Sequence, residues 1–292
     1  MNPNAETNIV RLSGGLGNQM FQYAFGKNLE SKTGLQTRYD GEAYQAHNGD
    51  GLTVFRTLGL HSLQTDFSLV SESEKRPLES DIFVQRNFGY SSSAFRSKKR
   101  YFQGSWQSPK YFSSVAERLY KEFSSNSVLP QATQELRASI IQNRGLCLNV
   151  RRGDFAHNPQ SNAFHGLLSR EYYTKGVTTL QSRGEFEHVF IFSDDPDWCR
   201  SNLRIEGTVQ IVGHEHAGPQ FSHYLELMKA CSAFVIPNST FGWWAAWLSR
   251  VPAENVIAPR RWFRKRFIRT ADLFPDRWIR ITDPNHSPFR FR

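Results

Sequence analysis

Residues 146–154 read LCLNVRRGD, and the fold class can be inferred by working outward from them. The run LCLNV (146–150) is short, apolar and followed by polar residues, which is typical of a buried strand. Arg151, Arg152, Gly153 and Asp154 come directly after it. A buried strand that ends in two adjacent guanidinium groups must neutralise or solvate both, so the end of this strand is a candidate functional position.

Similar runs recur through the second half of the chain and alternate with helical patterns. The further strand candidates are HVFIF (188–192), VQIV (209–212), AFVI (233–236) and NVIAP (255–259). Apolar residues at helical spacing fill the two intervals between residues 224 and 231 and between residues 241 and 248. Strands that alternate with helices favour a parallel sheet covered by helices, so the sequence predicts an α/β fold.

The N-terminal part repeats this logic once. Ile9–Leu12 reads as a strand, SGGLGNQ (13–19) as a tight turn, and the apolar spacing from Phe21 to Leu29 as an amphipathic helix. SSNSVLPQ breaks the pattern near residues 124–145, where we expect a boundary between two α/β halves. Residues 41–110 are rich in polar residues, Ser and Gly, and their pattern predicts no element.

Composition limits the class of protein. The chain has 292 residues, 39% of them hydrophobic, which is typical of a folded globular protein. It has no window long and apolar enough for a membrane span and no secretory signal pattern, so we expect a cytoplasmic protein. Three scattered cysteines favour buried thiols over a disulfide framework or a zinc site.

The net charge of +9 is concentrated at the C-terminus. Residues 260–292 hold ten Lys and Arg against three Asp, interleaved with aromatic residues. Such a segment could meet nucleic acid, an anionic membrane surface or acidic small molecules. A solvated C-terminal helix, whose arginine stems cover apolar surface, explains it equally well.

The ends of the predicted strands carry the polar residues. Ligands in open parallel sheets bind beyond the carboxyl ends of the strands. The residues that follow the predicted strands are Ser13–Asn18, Arg151–Asp154, Ser193–Asp195, Pro237–Thr240 and Pro259–Arg261. Arginine forks, a hydroxyl-rich helix start and a glycine turn are suited to a phosphorylated ligand.

Each of these features also has a structural explanation. One arginine could pair with Asp154 while the other is solvated, and GGLGN could be a simple turn, because its spacing fits a dinucleotide fingerprint poorly. Asp194 and Asp195 could bind a divalent cation, but two adjacent acids more often cap the following helix.

Six stretches together resemble the bacterial α-1,2-fucosyltransferases of glycosyltransferase family 11. They are GGLGNQMFQYAFGKNL (14–29), NVRRGDF (149–155), HGLLSREYY (165–173), FSDD (192–195), LMKACSAFVIPNSTFGWWAAWL (227–248) and VIAPRRWF (256–263). The resemblance implies a GT-B-like α/β fold, with two Rossmann-type domains whose parallel sheets face across a cleft. It assigns residues 1–140 mainly to the acceptor and residues 141–292 to the donor.

The resemblance also implies an activity. L-Fucose would pass with inversion from GDP-β-L-fucose to the 2-hydroxyl of a terminal β-galactose on O-antigen or a related glycan. No cofactor and no metal would be required. The glycan acceptor could be lipid-linked, which would suit peripheral contact of the basic C-terminal segment with the inner face of the cytoplasmic membrane.

Residue roles follow from the resemblance position by position. Arg151 and Arg152 would engage the diphosphate, Asp154 would orient that loop or the nucleotide, and Asn18 would approach the glycosidic oxygen. Asp194 would lie near the ribose or base. The residues expected to contact the donor are Gly15, Gly17, Asn18, Arg151, Arg152, Asp194, Asn238, Ser239, Thr240 and Phe241.

The mechanism leaves a base to be found. Candidates for accepting the acceptor hydroxyl proton are His165, ranked first, His157 and Asp154, and a histidine that only packs or caps explains His165 as well. Asn149 departs from the family pattern, which usually has His there, and Asn cannot carry a charge. Trp106, Tyr111 and Trp243 could stack on sugars, although core packing is favoured for each.

Two other function classes fit parts of the sequence. The basic aromatic tail would suit a nucleic-acid-binding protein, and GGLGN a nicotinamide-dependent reductase. Neither needs arginines, Asn18 and Ser239–Thr240 on one rim, so we expect no nucleic-acid partner. The acceptor is expected to contact residues 41–110.

Overall fold

The computed structural model describes residues 7–44, 57–78, 80–184, 186–265 and 267–286. The chain forms two compact units. Unit 1 comprises Met1–Asn126 with Ile268–Phe274, and unit 2 comprises Ser127–Phe267 with Pro275–Arg292. Part of the region 41–110 expected to contact the acceptor therefore lies outside the described residues.

Unit 1 is built on a parallel sheet with the strand order β2-β1-β4-β3. Its strands are β1 (Asn8–Arg11), β2 (Thr37–Asp40), β3 (Ile82–Val84) and β4 (Tyr101–Gln103). Its helices are α1 (Leu16–Thr33), α2 (Glu72–Lys75), α3 (Ser93–Arg96) and α4 (Ala116–Glu122). The predicted strand, glycine turn and helix at the N-terminus are thus confirmed as β1, the turn at residues 12–15 and α1. The chain continues with β2.

Helix α1 is buried on more than the one face that its apolar spacing predicts. Apolar and polar side chains alike are buried between Met20 and Leu29. The helix ends at Gly34, which adopts φ 70°, a left-handed conformation that glycine takes without strain. Aromatic residues from the following loops complete the core around it, and Trp106 stacks on Phe25 with ring centroids 3.8 Å apart.

Unit 2 contains a second parallel sheet, with the order β10-β9-β8-β5-β6-β7. Its strands are β5 (Leu146–Val150), β6 (His188–Ser193), β7 (Thr208–Ile211), β8 (Ala233–Val235), β9 (Val256–Pro259) and β10 (Ile279–Ile281). The first five match the strands predicted from the sequence. The sixth strand, β10, was not predicted, because its three residues IRI give too short a pattern.

Helices separate the strands of unit 2 as predicted. They are α5 (Gln131–Gln142), α6 (Gly153–His157), α7 (Pro159–His165), α8 (Arg170–Gln181), α9 (Pro196–Asn202), α10 (Ser222–Lys229) and α11 (Thr240–Leu248). The core lies between the sheet and its helices and is lined by residues such as Leu148, Tyr172 and Val235. The predicted α/β fold is confirmed, since each of the two units contains a parallel sheet with helices. The acceptor and donor roles of residues 1–140 and 141–292 stay predictions.

Buried aromatic and sulfur side chains occupy the two cores. Trp106, Tyr111 and Trp243 are fully buried, so core packing, the favoured interpretation for each, is confirmed. The three cysteines are free and buried, as expected.

The C-terminal segment is not a solvated helix. Between β9 and β10 the described residues form turns and bends, so the helical interpretation is wrong there. Four of its aromatic side chains, Trp262, Phe263, Phe274 and Trp278, are buried, whereas Phe267 is 98% exposed. These four aromatic residues therefore belong to the core. Within the described part of the chain, no helix combines the length and the apolar character needed to cross a membrane.

Candidate active site

The carboxyl ends of β5, β6, β8 and β9 form one edge of the sheet in unit 2. These strands are neighbours and run parallel, so the residues that follow them emerge along the same edge. Val150, the last residue of β5, lies opposite Ser193 at the end of β6. This register places the arginines after β5 next to the aspartates after β6.

Arg151 is held by two carboxylates. Its Nη1 forms an ion pair with Asp194 Oδ2 at 2.8 Å, and its Nη2 donates a hydrogen bond to Asp154. The guanidinium carbon lies 5.5 Å from the centre of the Phe155 ring. Arg151 is the more exposed of the two arginines, with 27% of its side chain accessible against 17% for Arg152.

Arg152 is anchored on its other side. Its backbone N–H donates to Asp194 Oδ1 at 2.8 Å, and its Nε forms an ion pair with Asp195 Oδ2 at 3.0 Å. Its guanidinium lies 4.1 Å from the centre of the Trp198 ring. One planar face and the Nε of Arg152 are therefore engaged, while its two Nη atoms have no hydrogen bond or ion pair with any residue that the structure describes.

The two arginines carry two positive charges against three negative ones. With Asp154, Asp194 and Asp195 ionised, the cluster has a formal balance of one negative charge. The simple structural interpretation expected one solvated arginine, but both are paired. Asp195 and the Trp198 ring fix the plane of Arg152 and leave its two Nη atoms for an anion, whereas both Nη atoms of Arg151 are engaged by carboxylates.

Asp194 and Asp195 have different roles. Asp195 Oδ1 accepts from the backbone N–H of Trp198 and so caps α9, as the helix-capping interpretation predicted. Asp194 instead bridges the two arginines. An added Cβ at Gly153, the first residue of α6, would lie 2.4 Å from Asp194 Oδ2. Glycine at this position therefore leaves room for the Asp194 carboxylate beside the arginines.

Asn149, which stands where the resemblance implies His, lies under this edge of the sheet. It is buried, and its Nδ2 donates to the backbone carbonyl of Phe192 at 3.0 Å. Its Oδ1 lies 2.5 Å from where a Cβ would stand on Gly242 in the first turn of α11. Asn149 thus joins β5 to β6 and packs against α11.

The start of α11 lies at the same edge. Ser239 precedes the helix in an extended conformation, and its side chain does not cap it. Ser239, Thr240 and Phe241 are half-buried. Hydroxyl groups at a helix N-terminus are suited to phosphate oxygens.

Asn238 has a structural position. It is 2% exposed, and its Nδ2 donates to the backbone carbonyls of His165 (2.9 Å), Gly166 (3.3 Å) and Trp262 (3.2 Å). This amide ties α7 and the segment after β9 to the start of α11. Its direct contact with the donor stays a prediction.

His165, the first-ranked base, lies in a cluster of aromatic rings at the end of α7. Its ring stacks on Phe155 at 4.4 Å and contacts Phe164 and Phe263. Burial lowers the pKa of His165 to about 4. A group with so low a pKa is a weak base, so the structure favours its packing role over proton transfer. His157, the second candidate, is exposed at the end of α6.

The glycine turn belongs to unit 1. Gly14 has φ 77°, and Gly15 is the residue before the first turn of α1. Gly17 is buried in that turn. Asn18 is half-buried, and its Oδ1 accepts from Gln107 Nε2 at 3.1 Å.

Two glutamines that the sequence analysis passed over hold this turn. Gln19 Nε2 donates to the carbonyls of Gly14 (3.0 Å) and Thr57 (2.8 Å). Gln22 Oε1 accepts from the N–H of Ser13 at 2.9 Å. Both are buried, and the signal that could have found them is an amide at a position where α1 should face the core.

Comparison with known proteins gives a family. The model of the family described as "Glycosyl transferase family 11" matches residues 1–282. An α-1,2-colitosyltransferase of Escherichia coli is 29% identical over 94% of this chain and 98% of its own length. The O-antigen biosynthesis glycosyltransferase WbnK of Escherichia coli is 27% identical over 92% of this chain and 99% of its own. Galactoside α-(1,2)-fucosyltransferase 1 of Mus musculus is 25% identical over 92% of this chain and 71% of its own.

Proposed function

This chain belongs to glycosyl transferase family 11, and from that premise we propose that it transfers L-fucose from GDP-β-L-fucose to the 2-hydroxyl of a terminal β-galactose. The linkage is supported by the names of two relatives, which are an α-1,2-colitosyltransferase and a galactoside α-(1,2)-fucosyltransferase. An O-antigen glycan as acceptor is supported by the name of a third.

The observation that carries the proposal is the carboxylate-anchored arginine pair at the end of β5. Departure of GDP leaves negative charge on the β-phosphate while the sugar becomes oxocarbenium-like. A guanidinium aimed at that phosphate binds it more strongly as the charge grows, which is the condition for raising the rate. Arg151 and Arg152 would supply this stabilisation without a metal ion.

The three carboxylates set how the arginines would act. A diphosphate brings further negative charge to a cluster that is already formally negative by one, so the guanidiniums must exchange part of their carboxylate contact for phosphate. Arg151, the more exposed fork, would turn its Nη1 from Asp194 toward the phosphate and keep the contact of its Nη2 with Asp154. Arg152 would offer its two Nη atoms while Asp195 and Trp198 keep its plane fixed.

The proton of the acceptor hydroxyl needs no strong base in this scheme. His165 is weakly basic because it is buried, and Asp154 is already paired with Arg151. We therefore favour a late departure of the proton to solvent water, after the bond from the sugar to GDP has largely broken, in an inverting displacement.

Colitose is the alternative sugar. It is fucose without the 3-hydroxyl, and the relative with 29% identity is a colitosyltransferase. A site that hydrogen-bonds this hydroxyl would discriminate strongly against the sugar that lacks it, whereas a site without such a partner would accept both. We rank fucose first because the six motif stretches resemble the fucosyltransferases.

The deciding experiment is a transfer assay with GDP-fucose, GDP-colitose and a panel of β-galactosides, followed by linkage analysis of the product. We expect an α-1,2-fucosylated galactoside, formed equally well in EDTA. A product with another linkage, or transfer of colitose alone, would show that the proposed linkage or sugar is wrong. The family assignment would be unaffected. Loss of turnover in EDTA would refute the metal-independent mechanism.

Membrane contact of the basic C-terminal segment is a separate proposal. Phe267 is almost fully exposed, and Arg264, Lys265 and Arg269 near it are exposed cations. An apolar ring among cations is suited to an anionic bilayer surface. We expect binding to vesicles of phosphatidylglycerol that falls with salt and with Phe267→Ser, and no binding to phosphatidylcholine. Salt-insensitive or absent binding would remove this proposal and leave the enzyme assignment intact.

A further inference from the structure

The amide of Asn18 is positioned by a second amide, that of Gln107. Gln107 Nε2 donates to Asn18 Oδ1 at 3.1 Å, and this fixes which end of the Asn18 amide is the donor. Asn18 Nδ2 then lies over Gly14, where an added Cβ would stand only 2.4 Å from it. Among the described residues Asn18 Nδ2 has no hydrogen-bond partner, so this donor remains available to a ligand.

Gln107 also presents a buried acceptor. The residue is 6% exposed, and its Oε1 is buried without a hydrogen-bond partner in the described part of the chain. Most buried polar atoms in folded proteins are hydrogen-bonded, so an orphaned amide oxygen needs an explanation. A ligand hydroxyl would supply the missing donor.

The backbone that carries Gln107 is strained and firmly held. Trp106, the residue before it, has φ 54°, which a bulky side chain rarely adopts. The N–H groups of Ser105 and Trp106 both donate to Gln85 Oε1 at 2.9 Å, and the Trp106 ring stacks on Phe25. Strain that the surroundings hold in place is typical of functional positions.

We infer that Gln107 is a positioning and acceptor-binding residue of this transferase. Its Nε2 holds the Asn18 amide with Nδ2 directed at the substrate, and its Oε1 accepts a hydrogen bond from a hydroxyl of the acceptor sugar. A donor from Asn18 and an acceptor from Gln107 are the pair of groups that a sugar hydroxyl can satisfy. The inference rests on the proposed function and names a residue that recognises its acceptor.

Two substitutions separate the roles of Gln107. Gln107→Leu removes both polar atoms of the side chain. We expect the KM for the galactoside to rise about tenfold, because one hydrogen bond to the acceptor is lost, and kcat to fall about tenfold, because the hydrogen bond that positions Asn18 is lost. Gln107→Glu keeps an accepting oxygen but cannot donate to Asn18. For this variant we expect kcat to fall about tenfold while the galactoside KM stays within about threefold. The KM for GDP-fucose should not change in either variant.

The controls test whether Gln107 acts through Asn18. In an Asn18→Ala background Gln107→Glu should cost no further kcat, because the amide that it positions is gone. Gln36→Leu, which changes an exposed glutamine of the same unit outside residues 41–110, should keep wild-type kinetics. Unaltered kcat and KM in Gln107→Leu, or an equal loss from Gln107→Glu with and without Asn18, would overturn the inference.

A binding measurement separates this inference from the proposed reaction. Calorimetric titration of β-galactosides lacking single hydroxyls, with GDP present, should reveal one hydroxyl whose removal weakens binding to the wild type about tenfold and leaves Gln107→Leu unaffected. If this holds but no fucose is transferred, the inference stands and the proposed function fails. If the wild type transfers fucose and Gln107→Leu binds every analogue as the wild type does, the proposed function stands and the inference fails. If the wild type binds no β-galactoside, the inference falls.

Discussion

At the scale of single residues, the two arginines after β5 differ in their surroundings. Arg151 turns both Nη atoms to carboxylates, whereas Arg152 is fixed through its backbone, its Nε and the Trp198 ring. Sequence adjacency makes them look equivalent, but both lie after the end of β5, where each side chain meets different partners. Arg151 is held through its Nη atoms, whereas the contacts of Arg152 leave its two Nη atoms for a ligand.

We expect Arg151→Ala and Arg152→Ala each to lower kcat by about a hundredfold or more, which is typical of removing a donor that stabilises transition-state charge. Each substitution also leaves carboxylates without their cation, so thermal unfolding must be followed beside kinetics. Arg151→Lys and Arg152→Lys keep the charge without the planar fork and should recover only part of the rate. Arg200→Ala, at an exposed ion pair on α9, is the matched control. Wild-type turnover in both alanine variants would refute the mechanism.

His165 gives a prediction about pH. Burial lowers the pKa of His165 to about 4, below the value of about 6.5 in an unfolded chain. The unfolded chain therefore binds the proton more readily between these values. The contribution of neutral His165 to the free energy of unfolding is therefore fully present above pH 6.5 and is lost as the pH falls toward 4.

The magnitude is on the order of 2–3 kcal/mol in the free energy of unfolding. We expect His165→Phe, which keeps an aromatic ring beside Phe155, to lose that much less stability than the wild type between pH 7 and pH 4. Denaturant unfolding at several pH values measures this difference. Parallel stability curves for the two proteins would contradict it.

At the scale of elements, the strands of unit 2 were predictable and their polar partners were not. LCLNV, HVFIF and VQIV are runs of β-branched and apolar residues, and local pattern suffices to find them. The contacts between Arg152 and Asp194 depend on the register of β5 against β6, which periodicity does not specify. The strand β10 was missed because three alternating residues on a sheet edge carry little pattern.

Helix α6 supplies a test of the junction after β5. Alanine is more favourable than glycine in a helix by about 1 kcal/mol. The new Cβ of Gly153→Ala, however, would lie 2.4 Å from Asp194 Oδ2. Steric displacement of Asp194 should dominate, because it also breaks the contacts of Asp194 with both arginines. We expect a loss of about 1–3 kcal/mol in unfolding free energy and at least tenfold in kcat.

The double variant Gly153→Ala with Asp194→Ala provides the control. If the clash with Asp194 is the cause, Gly153→Ala should cost no stability in that background. A loss of the same size with Asp194 removed would assign the effect to the backbone of α6 instead.

At the scale of the whole molecule, a bound nucleotide should stabilise the folded chain. GDP at a hundredfold its Kd adds about 2.7 kcal/mol to the free energy of unfolding, which corresponds to a rise of about 5 °C or more in Tm. NADH should give no shift, since GGLGN lacks the spacing of a dinucleotide fingerprint. Thermal unfolding with each nucleotide, repeated on Arg151→Ala, measures this. Stabilisation by NADH and not by GDP would exclude the proposed donor.

The α/β class, the strands that carry the arginine pair and the family motifs could be read from the amino-acid order alone, because strand and helix patterns are local and motif residues are adjacent in the chain. The folded structure was needed to show that Asp194 and Asp195 anchor those arginines, that His165 packs among aromatic rings and that Gln107 holds Asn18. Gln107 and Asn18 are 89 residues apart, and Arg152 and Asp194 are 42 apart. Such pairs form only when parallel strands align and loops close over them, and hydrophobic periodicity carries no information about which polar groups then meet.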